Sequence, residues 1–321
     1  MPEESWLLGG ETNMGEEFIL SFPRIGMYTG VFIQFLENLG LKVLNPPPIT
    51  ERTVNLGVKN SPDMMCYPFK ITLGNFMEEI EKGANCLIMY DSRGKCRLRH
   101  YWALHELILQ NLGYEFKIYP LSLRNLLKLI KKFNPELSYL SIFRKLHRGW
   151  RELKEVEENF APLQKEGVRI GIVGEIYTCL EPALNFNIEK KLKEFGVNVY
   201  NTVRLSDFIR SSLRFNLGEK KIYKKRAAKF LNGPLGGHGF ENIYNTLYLC
   251  ERGIEGIIHL MPLTCMPETT IEPILNKICV DYNMPLLRLM IDESNSEVNF
   301  DTRIETFVEM IKRRKKWKKH I

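Results

Sequence analysis

The stretch IEGIIHLMPLTCMPETTIEPILNKICVDYNMPLLRLMID, residues 254–292, decides the fold. An apolar run ends at Pro262, apolar residues then recur at helical spacing from Glu268 to Asn283, and a second apolar run follows over 285–292. Strand, helix and strand in that order make a βαβ unit, whose two strands lie parallel and are covered by helices. The cysteine in its middle, Cys265, sits between Pro262 and Pro267 at the mouth of the helix.

The same alternation runs outward from this stretch. In the first half, strands are expected at EFILSFP (17–23), LKVLNP (41–46), ANCLIMY (84–90) and EFKIYPL (115–121), with helices over 30–40, 49–58, 69–83 and 97–113. Pro46–Pro48 ends the first unit, because three successive prolines extend neither a helix nor a ladder. Residues 123–165 hold leucines at helical spacing among Lys, Arg and Glu, and read as a helical connector. The pattern restarts with a strand at VRIGIVGEIY (168–177), a helix over 182–196, a strand at 197–203, a basic helical stretch over 218–231 and a helix over 240–253. A last helix is expected over 302–316. The fold class is α/β: two tandem Rossmann-like (flavodoxin-like) parallel-sheet domains at 17–122 and 166–311, the connector 123–165, and a basic tail 312–321, with a cleft between the domains.

At 321 residues the chain can build a core in each domain, and its 44% hydrophobic and 26% charged residues are ordinary for a globular protein. No segment approaches a membrane span. The opening MPEESWLLGGETNMGEE lacks the basic-then-apolar layout of a signal peptide, so a cytoplasmic protein is expected. The net charge of +7 is carried by KRRKKWKKHI at the C-terminus, and the chain before Lys312 sums to zero. That tail reads as a solvated helix end suited to the helix dipole, with docking to an acidic partner as the alternative. No nucleic-acid motif accompanies it.

Seven cysteines, an odd number with no CxxC, argue against a disulfide framework, a thioredoxin-like motif and a zinc ribbon. Cys86, Cys250 and Cys279 fall inside strand or helix patterns and read as small buried hydrophobes. Cys66, Cys96 and Cys265 each sit in a loop leading straight into a helix, and such loops gather where open parallel sheets bind ligands. A helix N-terminus favours the thiolate that soft metals require. Three such thiols, two from the first domain and one from the second, could share an iron–sulfur, copper or zinc site, against the alternative of scattered ordinary cysteines. Cys179, in GEIYTCLEP, passes the same positional test as a fourth ligand.

Five fragments carry a family resemblance: SPDMMCYPFKITLGNF, GKCRLRHYWALHELILQNLGY, GEIYTCLEP, GPLGGHGFENI and HLMPLTCMPE with IDE beyond it. Together they resemble the 2-hydroxyacyl-CoA dehydratase / benzoyl-CoA reductase superfamily, and within it the stand-alone acyl-CoA dehydratase activase-related (CoA protein activase) branch. The resemblance runs from about residue 18 to residue 311. It implies two Rossmann-like domains with added helices and a [4Fe-4S] cluster held by Cys66, Cys96 and Cys265, one iron remaining open. It implies anaerobic metabolism, an electron delivered by a separate ATP-hydrolysing activase with its own cluster, an acyl-CoA thioester as substrate, and a homo- or heterodimer. The segment around Cys96 departs from the family pattern, reading GKCRLR, so Lys95 and Arg99 add positive charge there. No P-loop occurs, so ATP hydrolysis is expected on the partner.

The leading expectation is therefore an iron–sulfur subunit of a low-potential electron-transfer system, either as a dehydratase-like lyase or reductase component or as a non-catalytic accessory. A zinc-binding or metal-free interaction protein that keeps only the fold is the alternative from another class. His238 in GPLGGHG is a weaker candidate acid or base, against a structural role for a lone histidine. The glycines of that loop could bind an anion or simply build the turn. Glu181 reads as a first-turn acid of the helix that follows it, Glu268 either as a first-turn acid or as a hydrogen-bond acceptor near the cluster, and Glu175 lies with Glu181 in the switch loop of the second domain.

Overall fold

The computed structural model describes residues 17–92, 95–158, 167–212, 220–231 and 235–318. The leader expectation at the N-terminus, the end of the connector, the end of the tail and Gly233–Pro234 of the glycine loop lie outside the described residues.

In the first half the order is β1 (Ile19–Ser21), α1 (Tyr28–Asn38), β2 (Lys42–Val43), α2 (Glu51–Asn60), α3 (Tyr67–Glu81), β3 (Cys86–Tyr90), α4 (Tyr101–Asn111) and β4 (Lys117–Leu121). The connector folds as α5 (Leu126–Phe133) and α6 (Tyr139–Glu158). The second half runs β5 (Val168–Gly174), α7 (Ile176–Leu180), α8 (Ile188–Glu194), β6 (Val197–Asn201), α9 (Leu205–Ser212), α10 (Lys220–Ala227), α11 (Gly239–Glu251), β7 (Gly256–Pro262), α12 (Met266–Asp281), β8 (Leu286–Ile291) and α13 (Glu297–Lys318).

Each half holds a four-stranded sheet, in the orders β2-β1-β3-β4 and β6-β5-β7-β8, with every pairing parallel. The two Rossmann-like sheets are thus as expected, and the strand order reverses between β1 and β3 and between β5 and β7. Crevices open beyond the carboxyl ends of the strands at these two points. All seven residues of β7 are buried, as a strand covered on both faces requires. None of the described helices is long and apolar enough to cross a membrane.

Some boundaries differ from the pattern. The strand expected over 168–177 ends at Gly174, because the Glu175 side chain accepts the backbone N–H groups of Tyr177 and Thr178 and starts a short helix. The helix expected from 182 begins only at Ile188, since Phe186 and Asn187 take the left-handed conformation. The segment 97–113 is divided into a 3-10 turn, Arg97–His100, followed by α4. The last helix begins at Glu297 and carries the basic tail as far as Lys318.

Helices α2 and α3 cross at two glycines. A Cβ on Gly57 would lie 1.8 Å from the Lys70 carbonyl oxygen, and one on Gly74 would lie 1.9 Å from that of Thr53. Only glycine lets these backbones approach so closely. The halves meet along a packed seam, where one apolar cluster joins Tyr28, Val31, Tyr67 and Ile71 to Leu180, Leu205 and Leu289. Polar ties reinforce it. The Gly26 N–H donates to Glu181 Oε2 at 2.5 Å. Glu157, fully buried on α6, accepts from Ser206 N at 2.9 Å and from the Tyr28 hydroxyl at 3.2 Å.

Candidate metal centre

Cys66, Cys96 and Cys265 each occupy the N-cap of a helical segment: α3, the 3-10 turn before α4, and α12. Prolines fit the first turns after Cys66 and Cys265, where no intrahelical N–H is lost. Each of the turns before these two holds a residue at positive φ, Met64 at 60° and Thr264 at 62°. The first two loops are tied together, because the Arg97 guanidinium donates to the Met64 carbonyl at 2.9 Å. The glycine loop closes on the third. A Cβ on Gly237 would meet Pro267 at 3.0 Å and Cys96 Sγ at 3.5 Å, so this loop wedges between a first-half thiol and the start of α12.

All three thiols line one cavity of about 1390 Å³, together with Glu175, His238, Glu268 and Tyr101. The floor under Cys66 is aromatic. Its sulfur contacts the Tyr101 hydroxyl, whose ring meets Phe69 edge-on at 5.0 Å, and Phe69 stacks on His105 at 4.5 Å. Behind Cys265 lies a fully buried polar network. Glu268 accepts from Asn242 Nδ2 at 2.9 Å and pairs with His259 Nε2 at 2.7 Å. Asn242 Nδ2 also donates to the Gly174 carbonyl at 2.9 Å, linking the end of β5 to the start of α12.

The expectation that the helix N-termini lower the thiol pKa values is overturned. Burial pushes Cys96 up to about 11, while the Leu98 backbone N–H pulls it down and Glu175 pushes it further up. Cys66 is raised by burial, partly offset by the Tyr101 hydroxyl. Cys265 is held well above the usual range by burial and then by Glu268. Loss of hydration is the leading cause for each of the three, and without a cation it favours the protonated thiols. Burial also raises Glu175, against the backbone N–H groups of Thr178 and Tyr177.

Cys179 stands apart. It is buried in the apolar cluster that joins the two halves and is not among the residues lining the cavity. His238 lies on the cavity wall with its ring 6.3 Å from that of Phe208. The residue pattern did not identify Tyr101, Arg97 or His259 as parts of this arrangement. Only His259 left a trace, as a histidine inside an otherwise apolar strand. Cys86 and Cys279 are buried in the core as read, and Cys250 is half-buried.

Residues 109–311 match the family described as 2-hydroxyglutaryl-CoA dehydratase, D-component. The chain belongs to that family. Membership supports the 2-hydroxyacyl-CoA dehydratase superfamily. The matched span includes Cys265, Cys179 and His238, while Cys66 and Cys96 precede it. No curated protein matches the chain.

The donor set suits an iron–sulfur cluster in its chemistry: three soft thiols on the wall of one cavity, which would give up their protons to a bound cation. Among the described residues, no three His, Cys, Asp or Glu side chains are gathered closely enough to hold a single metal ion. A cluster places its cysteines on different irons and so needs them further apart than the ligands of one zinc ion.

Proposed function

We propose that this member of the D-component family is the iron–sulfur subunit of an ATP-dependent, low-potential electron-transfer system related to 2-hydroxyacyl-CoA dehydratases. Cys66, Cys96 and Cys265 would hold a [4Fe-4S] cluster at the junction of the two halves. The observation that carries this reading is the gathering of three helix-capping thiols, from both halves, on the wall of one cavity. When bound, such a cluster supplies one-electron chemistry and an iron with an open position for a thioester oxygen.

The chain's own residues define the rest. The Tyr101 hydroxyl lies against the Cys66 sulfur and would donate to it once the thiol is deprotonated by a bound cluster, and hydrogen bonds to cluster sulfurs tune reduction potential. Arg97 ties the first two ligand loops, and the Asn242–Glu268–His259 network holds the start of α12 beneath Cys265. His238 is the candidate to move a proton on the cavity wall. The electron would come from a separate ATP-hydrolysing activase, and the substrate would be an acyl-CoA thioester. Assignment to the activase-related branch rests on the motif resemblance. The cavity beside the thiols favours a substrate-binding subunit over a bare electron carrier.

Anaerobic reconstitution, iron and sulfide analysis and electron paramagnetic resonance test the reading. A [4Fe-4S] signal is expected, lost or converted in Cys66→Ala, Cys96→Ala and Cys265→Ala and retained in Cys179→Ala. An unchanged signal in any of the first three variants removes that residue from the ligand set and ends the proposal as stated.

A further inference from the structure

The cavity that meets the three cysteines is much larger than that end of it requires. Ligand pockets for small molecules occupy roughly 300–1,000 Å³, and this one reaches about 1390 Å³. Away from the thiols its wall is built by α1 of the first half and by α5 and α6 of the connector, through Phe32, Phe35, Leu36, Leu126, Leu127 and Trp150. Protein interiors are close-packed, so apolar side chains half-buried around so large a space mark room for a ligand.

The chemistry of the wall selects the ligand. Among the described lining residues Arg210 is the only Lys or Arg, and it lies over the Trp150 ring at 5.4 Å. Phosphates call for several cations or for converging N–H donors. Such an arm would leave a nucleotide's charges unpaired, whereas a hydrocarbon gains from every group buried there. Among the described lining residues the carboxylates Glu175 and Glu268 and the imidazole of His238 are near the thiols in the second half, while His147 on α6 is the one imidazole beside the arm.

We propose that the arm between α1, α5 and α6 binds a long hydrocarbon chain, that of an acyl thioester whose carbonyl end lies toward the cysteines and whose nucleotide stays outside the arm. The placement of the carbonyl end rests on the function proposed above; the binding of the chain does not.

The test uses the full chain without iron. Affinities for butyryl-, octanoyl-, lauroyl- and palmitoyl-CoA, and for free palmitate, are measured by calorimetry. Binding is expected to tighten by roughly three- to fourfold for each added methylene until the arm is filled. Palmitate separates the sources: equal affinity with palmitoyl-CoA assigns the arm to free fatty acids and overturns the thioester assignment. Leu126→Trp, which fills the arm, should weaken palmitoyl-CoA at least tenfold and leave butyryl-CoA unchanged. A shift in Trp150 emission on adding palmitoyl-CoA, absent in Trp150→Phe, reports occupancy in a chain with an unaltered Leu126. Affinity independent of chain length, or equal weakening of all thioesters by Leu126→Trp, overturns the proposal. Failure of iron loading leaves this series unaffected, and a flat series leaves the cluster reading standing.

Discussion

His105 makes the floor of the Cys66 loop sensitive to acid. Its ring is fully buried, stacked on Phe69 and set edge-on to Phe76 and Tyr101. Its Nε2 lies 3.2 Å from Thr72 Oγ1 and 3.4 Å from the Phe69 carbonyl, and no carboxylate is among these partners. Burial lowers its pKa from the ordinary 6.5 to about 3, and the Phe69 carbonyl offsets only part of this. Folding with a neutral imidazole therefore carries no penalty above pH 6.5, where the unfolded chain is neutral too. Below that the unfolded state takes up a proton that the folded state refuses. Stability then falls by about 1.4 kcal/mol per pH unit, reaching a loss of about 2 kcal/mol at pH 5. Urea unfolding of the metal-free protein at about pH 7.5 and pH 5 measures this in the wild type and in His105→Phe, which keeps the ring stack. The substitution should remove about 2 kcal/mol of the acid loss while changing little at the higher pH. Equal acid losses in the two proteins would refute the reasoning, and would mean that His105 is protonated in place.

Glu157→Ala should destabilise the chain by about 3 kcal/mol, because Ser206 N–H, Ser206 Oγ and the Tyr28 hydroxyl lose a buried acceptor. Denaturant unfolding checks it, and a loss below 1 kcal/mol would show that water replaces the carboxylate. Gly74→Ala drives a methyl into the Thr53 carbonyl and should cost up to about 3 kcal/mol, read as a fall in Tm. Asn242→Leu leaves Gly174 and Glu268 without their shared donor and should cost about 2 kcal/mol, with iron loading reduced as Cys265 loses support. Tyr101→Phe should lower the reduction potential of a reconstituted cluster, seen by redox titration with iron content unchanged.

The parallel sheets were legible because their strands are buried on both faces and appear as short apolar runs such as GIIHLMP between helical patterns. Loop position also singled out Cys66, Cys96 and Cys265, since each follows punctuation by Pro, Gly or Asp and precedes helical spacing. What stayed hidden was set by longer-range contacts. Helix α9 has apolar residues too few and too short in span to stand out, yet Ser206 in it is fixed by Glu157 from the connector. The left-handed pair Phe186–Asn187 shortens α8 without a glycine to announce it. The thiol pKa values could not be read at all, because a helix N-terminus is visible in a sequence and the depth of its burial is not. His259 and Glu268 are nine residues apart, and only the return of α12 against β7 makes them partners.

Gly26 has a further consequence for how the molecule can open. A Cβ there would lie 2.2 Å from the Leu180 carbonyl oxygen, so the halves touch main chain to main chain beside the Glu181 anchor. No rotamer change can loosen a contact made without side chains. Any side chain at position 26 would therefore push the two halves apart at this point.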